Sequence, residues 1–335
     1  MSATDPNKYP IELTFPDITP YKTGNAGVDY YTSFDSGVAG PHVLINALVH
    51  GNEVCGVIAI EHLFNSGIRP KIGKLTLGFS NVAAYQAFDV EDPMASRFLD
   101  EDMNRVWDAE TLDGDRQSRE LERAREIRPL IDTVDLLFDV HSMQHKTAPV
   151  IVAGPLKKSV AMSKELGTPD IIVADTGHAA GCRLRDYGGF GDPDSPKTAV
   201  LIECGQHWEA DAGPVAIDSV CRWLLLHDMI DADVAAPHLR PLPSTQRVVE
   251  VLKPVTVETD SFEFAQPFTG LETLAKGELI GPDGDKEIRA PHDGCGLGMS
   301  SSRWTHGATA VRLCRWIGCQ VLRLSPRRER SSGRS

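Results

Sequence analysis

The chain has 335 residues and a formal net charge of −13. This acidic excess does not favour a nucleic acid or an anionic membrane as partner, although a cleft can still be locally positive. Hydrophobic residues make up 41% of the chain, as in globular proteins, and the length predicts one large domain with a smaller one.

The N-terminal sequence, MSATDPNKYP, lacks the basic and apolar regions of an export signal. No apolar run reaches the roughly 18 residues that a membrane-spanning helix needs. The seven cysteines are odd in number, form no Cys-x-x-Cys pair and lie mostly in apolar segments. We therefore expect reduced thiols and a cytoplasmic protein.

The first 40 residues are rich in Pro, Gly, Asp and Thr, and their short extended pieces at 11–15 and 30–34 predict edge strands. The segment 43–64 then combines an apolar strand, a turn and a helix. His50-Gly51-Asn52-Glu53 lies at the turn, where Gly51 permits a tight backbone. Imidazole and carboxylate are zinc ligands, but His-x-x-Glu is short enough to occur by chance.

Residues 75–81 predict a second buried strand, and 82–95 predict an irregular loop. The charged run RFLDEDMNR follows at 97–105, and taken by itself it is more typical of a solvated loop than of a binding site. Residues 117–131 have the apolar periodicity of a helix, and Pro129 is expected to disturb its last turn.

Two later strands also lead to polar side chains at their carboxyl ends. The strand predicted over 134–140 is followed by His141, and the strand over 198–202 is followed by Glu203. A histidine buried in the core is the alternative explanation for His141.

The remaining elements of this region alternate between strands and helices. Strands are predicted at 150–153 and 171–174, helices at 157–166 and 216–230, and a turn-rich loop that covers a site at 183–197. The alternation predicts an α/β fold with a mostly parallel mixed sheet flanked by helices. Ligands bind at the carboxyl ends of strands in such sheets, so we expect the polar side chains at the three strand ends to meet.

The C-terminal third changes in character. A proline-rich linker is predicted at 237–246, between a catalytic domain at 1–236 and a small all-β domain at 247–318. The last residues, 319–335, are basic and rich in serine, which predicts a disordered tail.

The order of these motifs resembles that of the succinylglutamate desuccinylase and aspartoacylase family, relatives of the zinc carboxypeptidases. The motifs are His50-x-x-Glu53, Arg97, Asp102-Met103-Asn104-Arg105, Asp139-Val140-His141 and Glu203. The resemblance covers residues 40–317 approximately. It implies a zinc-carboxypeptidase-like fold with a C-terminal β domain, and one zinc ion per chain held by His50, Glu53 and His141.

The resemblance also implies roles for the other residues. Glu203 would act as general base and then acid, and Arg97 would stabilise the oxyanion. The substrate α-carboxylate would be bound by Asn104 and Arg105, and Asp102 would orient a ligand histidine. Asp139 is expected to act similarly on His141, because it lies two residues earlier on the same face of the strand. The candidates for contact with a second substrate carboxylate are Arg183, Arg185 and Tyr187, whose spacing to Glu203 departs from the family pattern.

The implied activity is zinc-dependent hydrolysis of an N-acyl amino acid, such as N-acetylaspartate or N-succinylglutamate, to a carboxylate and a free amino acid. The alternative is a zinc carboxypeptidase for short peptides, which would use the same zinc, base and carboxylate contacts. A non-catalytic zinc protein fits less well, because structural zinc sites use four protein ligands. We expect a small-molecule substrate and no nucleic-acid or membrane partner, with a homo-oligomer as the commonest arrangement of soluble enzymes.

Overall fold

A computed structural model of the chain describes residues 9–175, 180–268, 270–298 and 309–321. Most of its strands join one sheet in the order β1-β3-β2-β4-β7-β5-β6-β8-β13-β12-β9, and β10 pairs with β11 in a second, two-stranded sheet. The strands in the first part of the chain are β1 Tyr31–Asp35, β2 His42–Ala47, β3 Lys74–Phe79, β4 Leu136–Met143, β5 Val150–Val152, β6 Ile171–Ala174, β7 Thr198–Gln206 and β8 Thr245–Thr256. The later strands are β9 Thr273–Leu274, β10 Leu279–Asp283, β11 Lys286–Arg289, β12 Cys295–Gly298 and β13 Thr309–Val321.

The helices cover both faces of the central sheet. They are α1 Cys55–Asn65, α2 Val82–Gln86, α3 Ala109–Asp113, α4 Arg119–Ile131, α5 Lys157–Leu166, α6 Ala212–Leu226 and α7 Ala232–Ala235. Side chains of α1, α5 and α6 pack on one face of the sheet, and those of α4 pack on the other. The first core lies between the sheet and α1, α5 and α6, and the second lies between the sheet and α4. Alternate residues of β2 point to opposite faces, so Val43 and Ile45 lie in the first core and Leu44 lies in the second.

The strands β3, β2, β4 and β7 are parallel to one another, as are β5, β6 and β8. The strands β1 and β5 run antiparallel to β3 and β7. The predicted α/β fold with a mostly parallel mixed sheet is therefore confirmed.

Several predicted boundaries need correction. The expected loop 82–95 begins with helix α2, which Asn81 caps by accepting a hydrogen bond from the amide of Ala84 at 3.3 Å. Pro129 does not end α4 early, because the helix continues to Ile131, which is buried in the second core. Residues 11–15 form no strand.

Strands β4 and β7 extend beyond their predicted ends. His141 and Glu203 therefore lie inside these strands, held by the main-chain pairing of β4 with β7, and not in the turns that follow them.

The C-terminal strands continue the central sheet. Strand β8 begins inside the expected linker and pairs in parallel with β6, and β13 then pairs with β8 along nearly its whole length. A separate apolar cluster, which includes Val257, Phe262 and Ile280, packs among the C-terminal strands. The division into two domains with a linker stays a prediction. Of the predicted tail, 319–321 belong to β13, and 322–335 lie outside the described residues.

Within the described ranges, every helix is too short or too polar to cross a membrane.

Candidate active site

The turn between β2 and α1 is fixed by a close approach of backbones at Gly51. A Cβ atom there would lie 2.4 Å from the carbonyl carbon of Ala84 and 2.5 Å from the carbonyl oxygen of Ser96. The Gly51 amide also donates a hydrogen bond to the carbonyl of Arg97 at 3.1 Å. Only glycine fits this position, and the turn directs the buried side chains of His50 and Glu53 to the carboxyl end of β2.

The structure brings together the three residues predicted to be metal ligands. The Nδ1 atom of His50 lies 2.8 Å from Oε1 of Glu53, and the Nδ1 atom of His141 lies 2.9 Å from Oε2. One ligand atom from each residue lies within 4.8 Å of the others, and all three side chains are buried. Two imidazoles and a carboxylate facing one point form a donor set suited to zinc.

The other nitrogen of each imidazole is held by a second carboxylate. His50 Nε2 lies 2.9 Å from Oδ1 of Asp102, and His141 Nε2 lies 2.9 Å from Oδ2 of Asp139. Such contacts fix the tautomer and the ring orientation of metal-binding histidines. Asp102 and Asp139 thus lie where the sequence predicted orienting carboxylates.

The electrostatics of the cluster are those of a site built for positive charge. Burial opposes the ionisation of Glu53, but the two adjacent imidazoles outweigh it and hold the pKa of this carboxyl well below its usual value. Burial likewise opposes the ionisation of Asp102, but its bond to His50 and the nearby guanidiniums keep its pKa low. Both carboxylates are therefore ionised and available to a cation and its ligands at neutral pH.

Glu203 lies on β7, in the strand position paired with His141. Its Oε2 atom is buried and has no hydrogen-bond partner among the described residues. Burial and the charge of Glu53 raise the pKa of Glu203 to about 8. A buried carboxylate with a free oxygen beside a possible metal site is a candidate proton acceptor.

Arg97 contacts the same cluster from the loop that precedes Asp102. Its Nη1 donates to Oε1 of Glu53 at 3.3 Å, and its Nη2 lies 2.9 Å from Nε2 of His50. The side chain keeps 29% of its surface exposed, so the guanidinium is accessible beside the predicted ligands.

Asn104 and Arg105 follow on the same loop. The Asn104 side-chain oxygen accepts a hydrogen bond from the amide of Leu184 at 3.1 Å, which ties the loop to this residue. Nη1 of Arg105 donates to the carbonyl of Asn104 at 2.7 Å, and Nη2 lies 3.7 Å from Asp102. Arg105 remains 20% exposed, with donors available to a ligand.

Asp175 follows the last residue of β6, and its carboxylate pairs with three arginine side chains. Arg183 Nη1 lies 2.7 Å, Arg185 Nη2 3.1 Å and Arg312 Nη1 3.9 Å from its carboxylate oxygens. Burial lowers the pKa of Arg105, and the guanidiniums of Arg183 and Arg312 lower it further, so these side chains lie close together. Arg185 is almost fully buried and also pairs with Asp186, and so its charge is already compensated.

Tyr187 is not brought to this site. Its hydroxyl donates to Oδ1 of Asp132 at 2.7 Å and accepts from Nε of Arg128 at 3.0 Å, where α4 leads into β4. This is the amino end of the sheet, whereas the ligand cluster lies at the carboxyl ends. A short helix at 184–186 turns the chain between Arg183 and Tyr187 and sends the two side chains to different places.

Sequence reasoning missed three residues near the site. Asp175 had the same signal as the predicted residues, a polar side chain after an apolar strand, and was overlooked. Arg312 lies far along the chain on β13, and nothing in the sequence links it to β6. His207 is fully buried with Nδ1 2.9 Å from the Ser142 hydroxyl, and burial lowers its pKa to about 3.

The chain was also compared with known proteins. Residues 39–213, more than half of the chain, match the sequence model of the succinylglutamate desuccinylase/aspartoacylase catalytic domain. The chain belongs to this family. The membership expected from the motif order is confirmed, and it supports a hydrolase that acts as a deacylase.

Individual relatives have low sequence identity to this chain, but the matches extend over most of its length. Succinylglutamate desuccinylase from Vibrio vulnificus is 22% identical over 273 residues, which cover 75% of this chain and 74% of that protein. The crystal structure of succinylglutamate desuccinylase from Vibrio cholerae matches with a TM-score of 0.64 and 16% identity, covering 86% of each chain. The product-bound ectoine utilization protein EutE from Ruegeria pomeroyi matches with a TM-score of 0.60 and 18% identity, covering 85% of this chain and 88% of that one. At these identities the structural matches show the fold.

Proposed function

We propose that the protein is a zinc-dependent deacylase that hydrolyses the amide bond of an N-acyl amino acid. The observation that carries the proposal is Glu203, whose buried Oε2 has no hydrogen-bond partner in the described part of the chain and which lies beside a cluster of three candidate ligands. A structural zinc site is closed by four protein ligands and needs no base, whereas a catalytic site combines three ligands with an open position.

The donor set fits zinc. The Nδ1 atoms of His50 and His141 and the carboxylate of Glu53 would hold the ion, while Asp102 and Asp139 orient the imidazoles. When bound there, zinc would polarise a carbonyl and lower the pKa of water toward neutrality.

Glu203 would transfer a proton from the attacking water to the leaving nitrogen. In the absence of metal its pKa is raised to about 8, and a cation beside it favours the ionised form. The carboxylate would take a proton from the attacking water as the new carbon–oxygen bond forms. It would then deliver this proton to the nitrogen as the carbon–nitrogen bond breaks, which leaves a carboxylic acid and a free amine.

Arg97 would stabilise the negative charge that develops on the carbonyl oxygen. Its guanidinium is already held beside the ligands by Glu53 and His50, so it needs little rearrangement during the reaction. A fixed cation in a partly dry site stabilises such charge more strongly than water does.

Asn104 and Arg105 would bind the substrate α-carboxylate, since a guanidinium forms paired hydrogen bonds with a carboxylate. Arg183 and Arg312 lie beside Arg105 and share a single carboxylate, Asp175. This excess of positive charge supports a substrate with a second carboxylate, as in N-acetylaspartate or N-succinylglutamate. Arg185 would act through Asp175, because its own side chain is buried.

The test is metal content together with hydrolysis of N-acetylaspartate, N-succinylglutamate, an N-acetylated neutral amino acid and a dipeptide. We expect about one zinc per chain, turnover of an acidic N-acyl amino acid that a chelator abolishes, and no turnover of the dipeptide. Preferred cleavage of the dipeptide would favour the carboxypeptidase alternative. Protein without bound zinc after purification in zinc-containing buffer would contradict the proposal.

A further inference from the structure

Glu120 is a buried carboxylate in the first turn of α4 that the proposed chemistry does not use. It accepts hydrogen bonds at both oxygens. Its Oε1 accepts from the amide of Leu99 at 2.7 Å and from Nδ2 of Asn81 at 3.1 Å. Its Oε2 accepts from the amides of Asp100 and Glu101 at 3.1 Å and 3.2 Å.

The three consecutive amides belong to the loop that carries the candidate site residues. Arg97 lies two residues before Leu99, and Asp102 follows Glu101 directly. We infer that Glu120 is a positioning residue, which fixes this loop so that Arg97 and Asp102 reach the ligand cluster. The inference rests on the proposed function for its catalytic consequence, but its structural part stands without it.

The loop is held from two sides. At its start, the loop is held by the Arg97 carbonyl, which accepts a hydrogen bond from the Gly51 amide at 3.1 Å. The start of α4 adds two further contacts. The Ser118 hydroxyl donates to Oε1 of Glu101 at 2.5 Å, and the Arg119 amide donates to Oδ2 of Asp100 at 2.9 Å.

The chemistry of the position requires a carboxylate. All four groups around the side chain are N–H donors, so the ionised acid, which only accepts, satisfies every one of them. A glutamine of the same size would present an NH₂ group to two of these donors. Burying a charge is unfavourable unless several hydrogen bonds compensate it, and here the compensating groups are the loop amides themselves.

The consequence reaches the ligand cluster through Asp102 and Arg97. Asp102 orients His50 by the 2.9 Å contact to Nε2, and Arg97 contacts Glu53 and His50. If the amides of 99–101 are released, both contacts loosen, although no residue of the cluster has changed. The affinity for zinc and the turnover number should then fall together.

The experiment compares wild type with Glu120→Gln, and with Asp218→Asn as a matched control. Asp218, on α6, is also a buried carboxylate. It accepts hydrogen bonds from Nε of Arg222 and from the amide of Arg240, neither of which belongs to the candidate site. The measurements are amide hydrogen exchange of 98–102 in the metal-free protein, zinc affinity by chelator competition, and kcat and KM.

For Glu120→Gln we expect exchange of the three amides to accelerate at least about tenfold, zinc affinity to fall about 10–100-fold, and kcat to fall by a similar factor. Asp218→Asn should lower the melting temperature without changing loop exchange, zinc affinity or kcat. If Glu120→Gln does not fold, Asn81→Asp serves instead, since it keeps the cap of α2 but places a second carboxylate against Glu120.

Unchanged exchange of the three amides in the variant would overturn the inference. So would faster exchange with wild-type zinc affinity and kcat, because the loop would then not govern the site. A wild-type protein that binds no zinc would instead contradict the proposed function, while the exchange data would still decide whether Glu120 fixes the loop.

Discussion

Glu203 lies opposite His141 in the parallel register of β4 and β7. The proposed base and a proposed ligand therefore come from neighbouring strands, whose main-chain hydrogen bonds fix their separation. Strand β2 pairs in parallel with β4 on its other side, and the turn that follows β2 supplies His50 and Glu53. The sheet thus provides a rigid scaffold for the proposed base and ligands, and the loop 97–105 adds further charged side chains.

Removal of the Arg105 guanidinium should weaken substrate binding. In Arg105→Ala we expect KM to rise at least about tenfold and kcat/KM to fall about 100-fold, because a paired charge-assisted contact to the α-carboxylate is lost. Arg289→Ala, which removes an exposed arginine of β11, is the control and should leave both constants unchanged. A wild-type kcat/KM in Arg105→Ala would remove this residue from the substrate site.

Gly51 should not tolerate a side chain. Gly51→Ala would place Cβ within 2.5 Å of backbone atoms of Ser96 and Tyr85, so the turn carrying His50 and Glu53 would have to shift. We expect a loss of about 1–3 kcal/mol in the free energy of unfolding and weaker zinc binding. In Gly213→Ala on α6 the nearest atoms to the new Cβ are side-chain carbons of Ile58, at 3.3 Å and beyond, so a shift of a few tenths of an ångström suffices and the change should be close to neutral. Denaturant titration of both variants checks this, and equal stability of the two would show that the turn can relax.

Lys158 organises the loop that carries Arg183 and Arg185. Its ammonium lies 2.6–3.0 Å from four backbone carbonyls, those of Gly189, Asp192, Ser195 and Lys197. Lys158→Met keeps an unbranched side chain, one atom shorter, but removes the ammonium from these carbonyls, which should lower the free energy of unfolding by about 1–3 kcal/mol. The exposed Lys157→Met is the control. Limited proteolysis should cut 189–197 faster in Lys158→Met only, and equal rates in both variants would contradict this role.

Stability should fall in mild acid because of His227. Burial lowers its pKa to about 4, and Nε2 has no hydrogen-bond partner among the described residues. The unfolded state, with a pKa near 6.5, binds the proton more readily. The stability present above about pH 6.5 is therefore lost as the pH falls toward 4.

Denaturant titrations at several pH values test this contribution. Between pH 6.5 and 4, wild type should lose about 1–2 kcal/mol more than His227→Gln. Parallel curves for the two proteins would show that His227 does not cause the loss.

The sequence predicted the parts of the fold that depend on strong local patterns. Strand β6 and helix α5 begin and end where their apolar periodicity does. The pattern of a polar residue after an apolar strand identified His50, Glu53, His141 and Glu203 as candidates. It succeeded because parallel strands bring their carboxyl ends to one edge of the sheet.

What the sequence could not give depends on contacts between distant segments. The pairing of β8 with β6 brings Arg312 of β13 to Asp175, about 140 residues away, and no local pattern encodes this. Tyr187 lies only two residues from Arg185, yet the short helix between them turns its hydroxyl toward Asp132. Glu120 looked like one of many charges on a helix surface, and only the fold shows that it is buried.

The most direct test of the account is the zinc content and turnover of Glu203→Gln beside those of wild type. The substitution keeps the size of the side chain and leaves the three proposed ligands intact. We expect about one zinc per chain in both proteins, and a kcat for the N-acyl amino acid that falls about 10²–10⁴-fold in the variant. A variant that retains zinc and hydrolyses the substrate at the wild-type rate would contradict the assignment of Glu203 as the base, and with it the central claim.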